Sequence, residues 1–399
     1  MEKISSRAPL FIILFGVMIL FGFTENIRGV TLPLIKTQFG VSYEQQGAMV
    51  ALHNLGFVLF SFAGGMLMGS FGIKKTFLSA FFIISCGLIL TFFVPGFLPV
   101  AGALFIISAG LGFFEISSNG LAAQLFTTRP ALFMSLLHSF YGLGSSFSPR
   151  LSGTVAAAFS WRHIYLFTFP LILILLIPSL LTRFPRPSSA SANVGHENTG
   201  INKASFFTAL KTPMVWVFGV MLGLMVGVEL SSANWAGLYF KDLYQLDPKT
   251  SGAAFLSNFY ILFTISRLVS GFAIEKIGYI RSLFIATAAT ILVFIIGFSL
   301  GPNGIYVLPA LGFFTALFWP TTLAIAIRYF KKNAPIMNSA IIVLAGAINA
   351  LIQFFIGLTN RFAGPAWGYR SCIIYALLAI VALVFLARQV RITGTKAAE

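Results

Sequence analysis

Twelve apolar runs, each long enough to cross the hydrocarbon core of a bilayer, leave this chain little choice of fold. They lie near residues 9–35, 44–69, 76–97, 99–126, 132–158 and 162–182, then near 212–241, 247–273, 281–300, 303–329, 335–363 and 368–390. A spanning helix needs about 20 consecutive apolar residues, whereas a barrel strand needs only about 10. Inside lipid, only a helix or a closed barrel satisfies its own backbone. Length alone would suggest two or three soluble domains. With 58% hydrophobic and only 9% charged residues, the 399-residue sequence instead predicts an all-α membrane protein of twelve transmembrane helices. The first run reads as the first span and not as a cleaved signal, since no small-residue cleavage site interrupts it.

The net charge of +16 does not point to nucleic acid, because the basic residues sit at the ends of the apolar runs in alternation. With the N-terminus inside, seventeen fall in inner segments, among them Lys74, Lys75, Lys276, Lys331 and Lys332. Only Lys36, Arg162, Lys241, Lys249, Arg361 and Arg370 fall in outer ones. That bias places both termini in the cytoplasm and the chain in the cell's inner membrane, against anionic lipids. Cys86 and Cys372 lie within spans and read as small buried residues, and no Cys/His cluster has metal-ligand spacing.

A single long hydrophilic stretch, Thr182 to Gly200, is rich in Pro, Ser, Gly and Asn. It divides the chain into a six-helix bundle over 1–182, a cytoplasmic linker over 183–211 and a second six-helix bundle over 212–399. The halves repeat each other. Gly65-Met-Leu-Met-Gly-Ser-Phe-Gly72-Ile-Lys74-Lys75 follows the second span, and Gly271-Phe-Ala-Ile-Glu275-Lys276-Ile-Gly278-Tyr-Ile-Arg281 follows the eighth. Trp161-Arg162 opens the sixth span and Tyr369-Arg370 the twelfth, at nearly the same offset.

These loop marks resemble the glycine- and basic-rich motif of the major facilitator superfamily. The resemblance covers nearly the whole chain and implies two pseudo-symmetric six-helix bundles, the major facilitator fold. It also implies a cytoplasmic gate that includes Lys74, Lys75, Arg267 and Glu275. The first-half copy departs from the pattern, with Gly69 and Ser70 where an acidic–basic pair is usual.

The fourth span carries Glu115 and Asn119 near its middle, one turn apart on one helical face. A charge at that depth costs roughly 2.5–3.5 kcal/mol on insertion scales, so it marks a function or a polar helix contact. Glu115-Ile-Ser-Ser-Asn119 looks like the Glu-x-x-x-Asn of the fucose–proton symporters. Gly227-Val-Glu229-Leu-Ser-Ser-Ala-Asn234-Trp235 and Phe318-Trp319-Pro320-Thr321 are similar to segments of the glucose/mannose–proton symporters. The first-helix acid of the fucose symporters aligns here with Gly29, beside Arg28, so a two-carboxylate relay does not transfer whole.

Sugars need amides and carboxylates for adjacent hydroxyls, and aromatic faces beneath their C–H surfaces. The spans offer Asn26, Asn54, Asn119, His138, Glu229, Asn234, Trp235, Asn258, Trp319, Asn349 and Gln353 as a substrate-binding set. For each amide, hydrogen bonding between helices is an equal alternative. Glu25, Glu115 and Glu229 are intramembrane, whereas Glu44, Asp242, Asp247 and Glu275 read as solvated ends. Glu115, Arg28 and Glu25 form the expected proton-coupling set, with Arg28 as partner to either Glu25 or Glu115. His53 and His138 are midspan, as packed polar residues or proton relays. Gly142 and Gly144 suit a close helix contact.

The sequence therefore predicts a transporter and no enzyme. It takes up a sugar, a monosaccharide, by alternating access with the proton as coupling ion and without any cofactor, in a monomer. A proton-coupled exporter of drugs or sugars and a passive facilitator or sensor are the alternatives.

Overall fold

The computed structural model describes residues 8–126, 130–185 and 203–392. Every regular element among them is helical. The spanning helices are α1 (Ala8–Phe39), α2 (Tyr43–Phe71), α3 (Ile73–Phe93), α4 (Phe97–Leu125), α5 (Pro130–Ala158) and α6 (Trp161–Leu181). After them come α7 (Pro213–Tyr244), α8 (Ala253–Ile277), α9 (Tyr279–Ser299), α10 (Phe318–Phe330), α11 (Ala334–Ala363) and α12 (Cys372–Ile392). Eleven spans among the described residues are long and apolar enough to cross a membrane. Helix α5 is equally long at 29 residues, but His138, Arg150 and a run of serines make it more polar.

Of the linker expected at 183–211, residues 186–202 lie outside the described ones. Lys203–Leu210 forms a short helix, and Trp216 Nε1 donates to its terminal carbonyl at Leu210 (2.7 Å). The tenth span is broken. Single 3₁₀ turns and the short helix Leu311–Thr315 lead into α10. Pro320 explains the break, because proline lacks an N–H and its ring clashes with the carbonyl four residues earlier.

The sequence repeat has a backbone counterpart. Gly72 (φ 81°) and Gly278 (φ 92°) both stand in a conformation that residues with a Cβ rarely adopt, each one residue before a 21-residue helix. Closely similar turns thus feed α3 and α9.

Two compact units divide the described residues. The first comprises those up to Arg28 with those from Leu52 to 185; the second comprises 29–51 with those from 203 onward. Residues 29–51, which the sequence assigns to the first bundle, therefore group with the second unit.

In the first unit α1 crosses α5 at near backbone contact. A Cβ on Gly144 would meet the Ile19 carbonyl at 2.0 Å, and one on Gly22 the Tyr141 carbonyl at 2.0 Å. The expected close contact is thus carried by Gly144, against α1. Helices α3 and α6 cap each other. Lys74 Nζ, at the start of α3, donates to the Leu180 and Thr182 carbonyls at the end of α6 (2.8 and 2.9 Å). Arg162, at the start of α6, donates to the Thr91, Phe92 and Val94 carbonyls at the end of α3 (2.9, 3.1 and 2.8 Å). A cation there satisfies orphan carbonyls and complements the negative end of the helix dipole.

In the second unit, Gly219, Gly223 and Gly227 form a stripe on α7 against Leu344, Ala345, Ile348 and Ile352 of α11. Small residues at every fourth position let two membrane helices approach closely. At the N-terminal end of α2, Tyr43 donates to Asp242 (2.7 Å) and Glu44 pairs with Arg361, while Lys241 donates to Thr37 on α1. Glu44 and Asp242, expected to be solvated, are thus engaged by partners.

Candidate functional site

The first unit concentrates its charge where α1, α2 and α4 meet. Glu25 and Arg28 stand three residues apart on one face of α1, and Arg28 Nη2 donates to Glu25 Oε1 at 2.7 Å. Arg28, left between Glu25 and Glu115 by the sequence, pairs with Glu25. The other carboxyl oxygen, Oε2, faces His53 Nε2 of α2 at 3.1 Å. The side chains of Glu25, Arg28 and His53 are only 12%, 4% and 3% exposed. Charges so deeply buried persist only when paired and hydrogen-bonded.

His53 is fixed at two points on α4. Its Nδ1 lies 3.0 Å from the Leu104 carbonyl, and Ser108 Oγ donates to the His53 main-chain carbonyl. Glu115 is seven residues beyond Ser108 and shares its face, about 10 Å further along the helix at 1.5 Å per residue. There Asn119 Nδ2 donates to Glu115 Oε1 at 3.0 Å, and both residues are partly exposed.

The amides divide by what remains of their hydrogen-bonding capacity. Asn26 Nδ2 donates to the Gly22 carbonyl (2.8 Å) and to Ser145 Oγ of α5 (2.9 Å), so it serves the α1–α5 crossing. By contrast, Asn54 Nδ2 and Asn119 Oδ1 are buried with no hydrogen-bond partner among the described residues. Those two atoms are unspent, one donor and one acceptor. His138 on α5 is partly buried.

The second unit gathers Asn234, Trp235, Asn349 and Gln353 into one buried network between α7 and α11. Gln353 Oε1 accepts from Trp235 Nε1 (2.8 Å) and Asn234 Nδ2 (3.4 Å). Its Nε2 donates to Asn349 Oδ1 (3.0 Å), Ser231 Oγ (3.1 Å) and the Gly227 carbonyl (3.4 Å). An amide oxygen has two lone pairs and its nitrogen two hydrogens, so Gln353 has nothing left to offer a solute. Glu229 is partly buried on α7, within electrostatic reach of Arg267. Asn258 is exposed on α8, and Trp319 is half-buried in the first turn of α10.

Of the residues expected at a cytoplasmic gate, Lys74 is committed to the α6 carbonyls and Lys75 is exposed. Glu275 is exposed near the end of α8. Arg267 lies near the middle of α8, its guanidinium 4.6 Å from the centre of the Phe263 ring, at a depth closer to Glu229 than to the loop. Sequence reasoning weighed His53 as a packed polar residue or a proton relay, without a partner for it. Its midspan position was visible, but which helix face would meet it was not.

The sequence profile of the Major Facilitator Superfamily matches residues 14–311. Bypass of stop codon protein 6 of Saccharomyces cerevisiae is 25% identical over 290 residues, which is 65% of this chain and 55% of that protein. The lincomycin resistance protein of Streptomyces lincolnensis is 25% identical over 59% of this chain and 49% of its own length. The hexuronate transporter of Bacillus subtilis is 24% identical over 39% of this chain and 37% of its own length. The chain thus spans about half or less of the curated relatives it matches. Among solved structures, the E. coli fucose:proton symporter superposes with a TM-score of 0.65 at 18% identity, covering 94% of this chain and 98% of that one. A bacterial homologue of the human lysosomal transporter Spinster, inward-facing and unoccupied, gives a TM-score of 0.74 at 14% identity, covering 95% and 96%. At these identities the superpositions establish the fold alone.

Proposed function

This chain belongs to the major facilitator superfamily, and on that premise we propose that it takes up a monosaccharide-sized sugar or sugar acid together with protons. The chain is a multi-pass membrane protein of a superfamily of transporters and not an enzyme. The observation that carries the finer reading is the Glu115–Asn119 pair on α4, partly exposed and with Asn119 Oδ1 unspent. A carboxylate beside an amide with spare capacity is the donor and acceptor set that vicinal hydroxyls require. The kinship with a hexuronate transporter supports the same solute class. Glu115 both orients the solute and exchanges a proton with it in place.

The test is uptake into proteoliposomes holding the purified full chain, with an inside-alkaline, inside-negative gradient and a panel of labelled hexoses and hexuronates. Accumulation of one of them above its external concentration, collapsed by a protonophore, is the expected result. Equilibration without accumulation points to a facilitator and overturns the symport reading. The match to the lincomycin resistance protein favours a second reading, export by proton exchange. Proton release from the lumen on adding lincosamide, with no sugar uptake, supports that reading.

A further inference from the structure

The hydrogen bonds around His53 constrain its protons. The Leu104 carbonyl only accepts, so the 3.0 Å contact to Nδ1 requires a proton on Nδ1. The contact of 3.1 Å between Nε2 and Glu25 Oε2 requires one more proton, on either atom. A neutral ring facing an ionised carboxylate fails in both tautomers. With the proton on Nδ1, the lone pair of Nε2 meets the lone pairs of Oε2. With the proton on Nε2, the lone pair of Nδ1 meets those of the Leu104 carbonyl. Only a proton added to the pair satisfies both contacts at once.

We propose that Glu25 and His53 share one exchangeable proton and form a proton-binding station of the transporter separate from Glu115. The proposal rests on the proton-coupled reading above and deepens it by naming where the coupling ion is held. Binding forms an N–H bond at Nε2 from its lone pair, and release returns that proton to water with no other bond made or broken. Arg28, on the opposite carboxyl oxygen, holds Glu25 as an anion, which puts the shared proton on the ring. The loaded triad carries one net positive charge and the unloaded triad none.

Release has a mechanical result. The ring is anchored on α4 at Leu104, and its own backbone is tied to Ser108, so it does not swing away freely. Loss of the proton therefore sets two lone pairs against each other across the α1–α2 contact. A bond made only when a proton is present thus links α1 to α2 and, through the fixed ring, to α4, and it biases a two-state equilibrium by its differential strength. The other titratable or charged groups on the helices of this unit are Lys74, Lys75 and Cys86 on α3, Glu115 on α4, His138, Tyr141 and Arg150 on α5, and Arg162, His163 and Tyr165 on α6.

Nitrogen-15 NMR of the histidine-labelled full chain in lipid nanodiscs tests the assignment. The chain has four histidines, and the signal missing from His53→Gln identifies the ring. The expected result is a wild-type ring protonated on both nitrogens at low pH and on Nδ1 alone after release, with the titration midpoint displaced by at least about one pH unit in Glu25→Gln. A neutral ring protonated on Nε2, or a titration identical in Glu25→Gln, overturns the proposal. The wild-type spectrum decides the tautomer even if a variant misfolds. Amide exchange over residues 20–35 adds a second readout: pH-dependent protection in wild type, lost in His53→Gln. Retention of that dependence in the variant also overturns it. Sugar accumulation without titration of this pair refutes the station and leaves the transport reading intact. Titration without accumulation of any solute does the reverse.

Discussion

The polar cluster on α1, α2 and α4 and the polar network between α7 and α11 are both buried, yet they are built on opposite terms. The first is ionic and incompletely satisfied, with Glu25, Arg28 and His53 in contact and unspent atoms on Asn54, next to His53 in the chain, and on Asn119, further along α4. The second is neutral and closed, every hydrogen and lone pair of the Gln353 amide being engaged. A closed neutral network is a means of holding membrane helices together. An open ionic one costs far more in lipid and is kept only where charge is used. Polar residues within spans therefore do not make one class of candidate site; what separates them is their remaining capacity.

Arg28→Ala attacks the contrast at its most expensive point. Removing one partner of a buried ion pair costs about 3–5 kcal/mol, because the other charge stays behind unpaired. Chemical unfolding in micelles is expected to show a loss of that order together with abolished uptake. Arg28→Lys restores the charge without the planar fork, and a partial recovery is expected. An Arg28→Ala protein as stable as wild type would show that the cluster is not ionic.

Gln353→Leu probes the other side. It leaves Trp235 Nε1 without its acceptor and Asn349 Oδ1 without its donor, at a cost of about 1–3 kcal/mol of stability. Because the Gln353 amide has nothing free to offer, the KM of the surviving transport is expected to stay within about twofold, the noise of non-additive contacts. A large KM change with stability preserved would move the solute into the second unit. Asn119→Ala should behave in the converse way. Its amide contacts Glu115 and has an unspent oxygen, so solute affinity falls by about 1–3 kcal/mol, roughly 5- to 150-fold, while the unfolding transition scarcely moves. Calorimetry on the accumulated solute checks it.

The sequence made some of this plain and hid the rest for a physical reason. Run length predicts the spans, since lipid tolerates only helices and closed barrels, and runs of this length fit helices. The doubled loop marks foretell the matching turns at Gly72 and Gly278. Gly144 was legible as a close contact, and Glu25, Arg28 and Glu115 were legible as costly charges. What a single span cannot reveal is which neighbour its polar face meets. Spacing alone does not show that Asn26 turns to Ser145 and Glu25 to His53, only one residue apart and on different faces. Nor does it separate the saturated Gln353 from the unspent Asn119, because both read as an amide in an apolar run. Lys74 was hidden for a related reason: its loop motif implies a gate, but the sequence does not show that its ammonium reaches the α6 carbonyls.

That lysine supports the smallest effect. Lys74 and Arg162 do the same work at opposite ends of the α3–α6 pair, but Lys74 reaches two carbonyls and Arg162 three. A cation at a helix C-terminus contributes about 0.3–1 kcal/mol at a surface position. Lys74→Met is thus expected to lower stability by an amount near the bottom of that range, and Arg162→Met by more, since its Nη1 gives up one more carbonyl contact. The two sites stand a 21-residue helix apart, about 30 Å. Groups so distant that share no partner add their effects to within about 0.5 kcal/mol. The double variant should therefore lose the sum of the two. A double loss well below that sum would mean that the first cation removed already lets the α3–α6 contact fray along its whole length. Helix ends in this unit would then be cooperative, and their hydrogen bonds neither local nor separable.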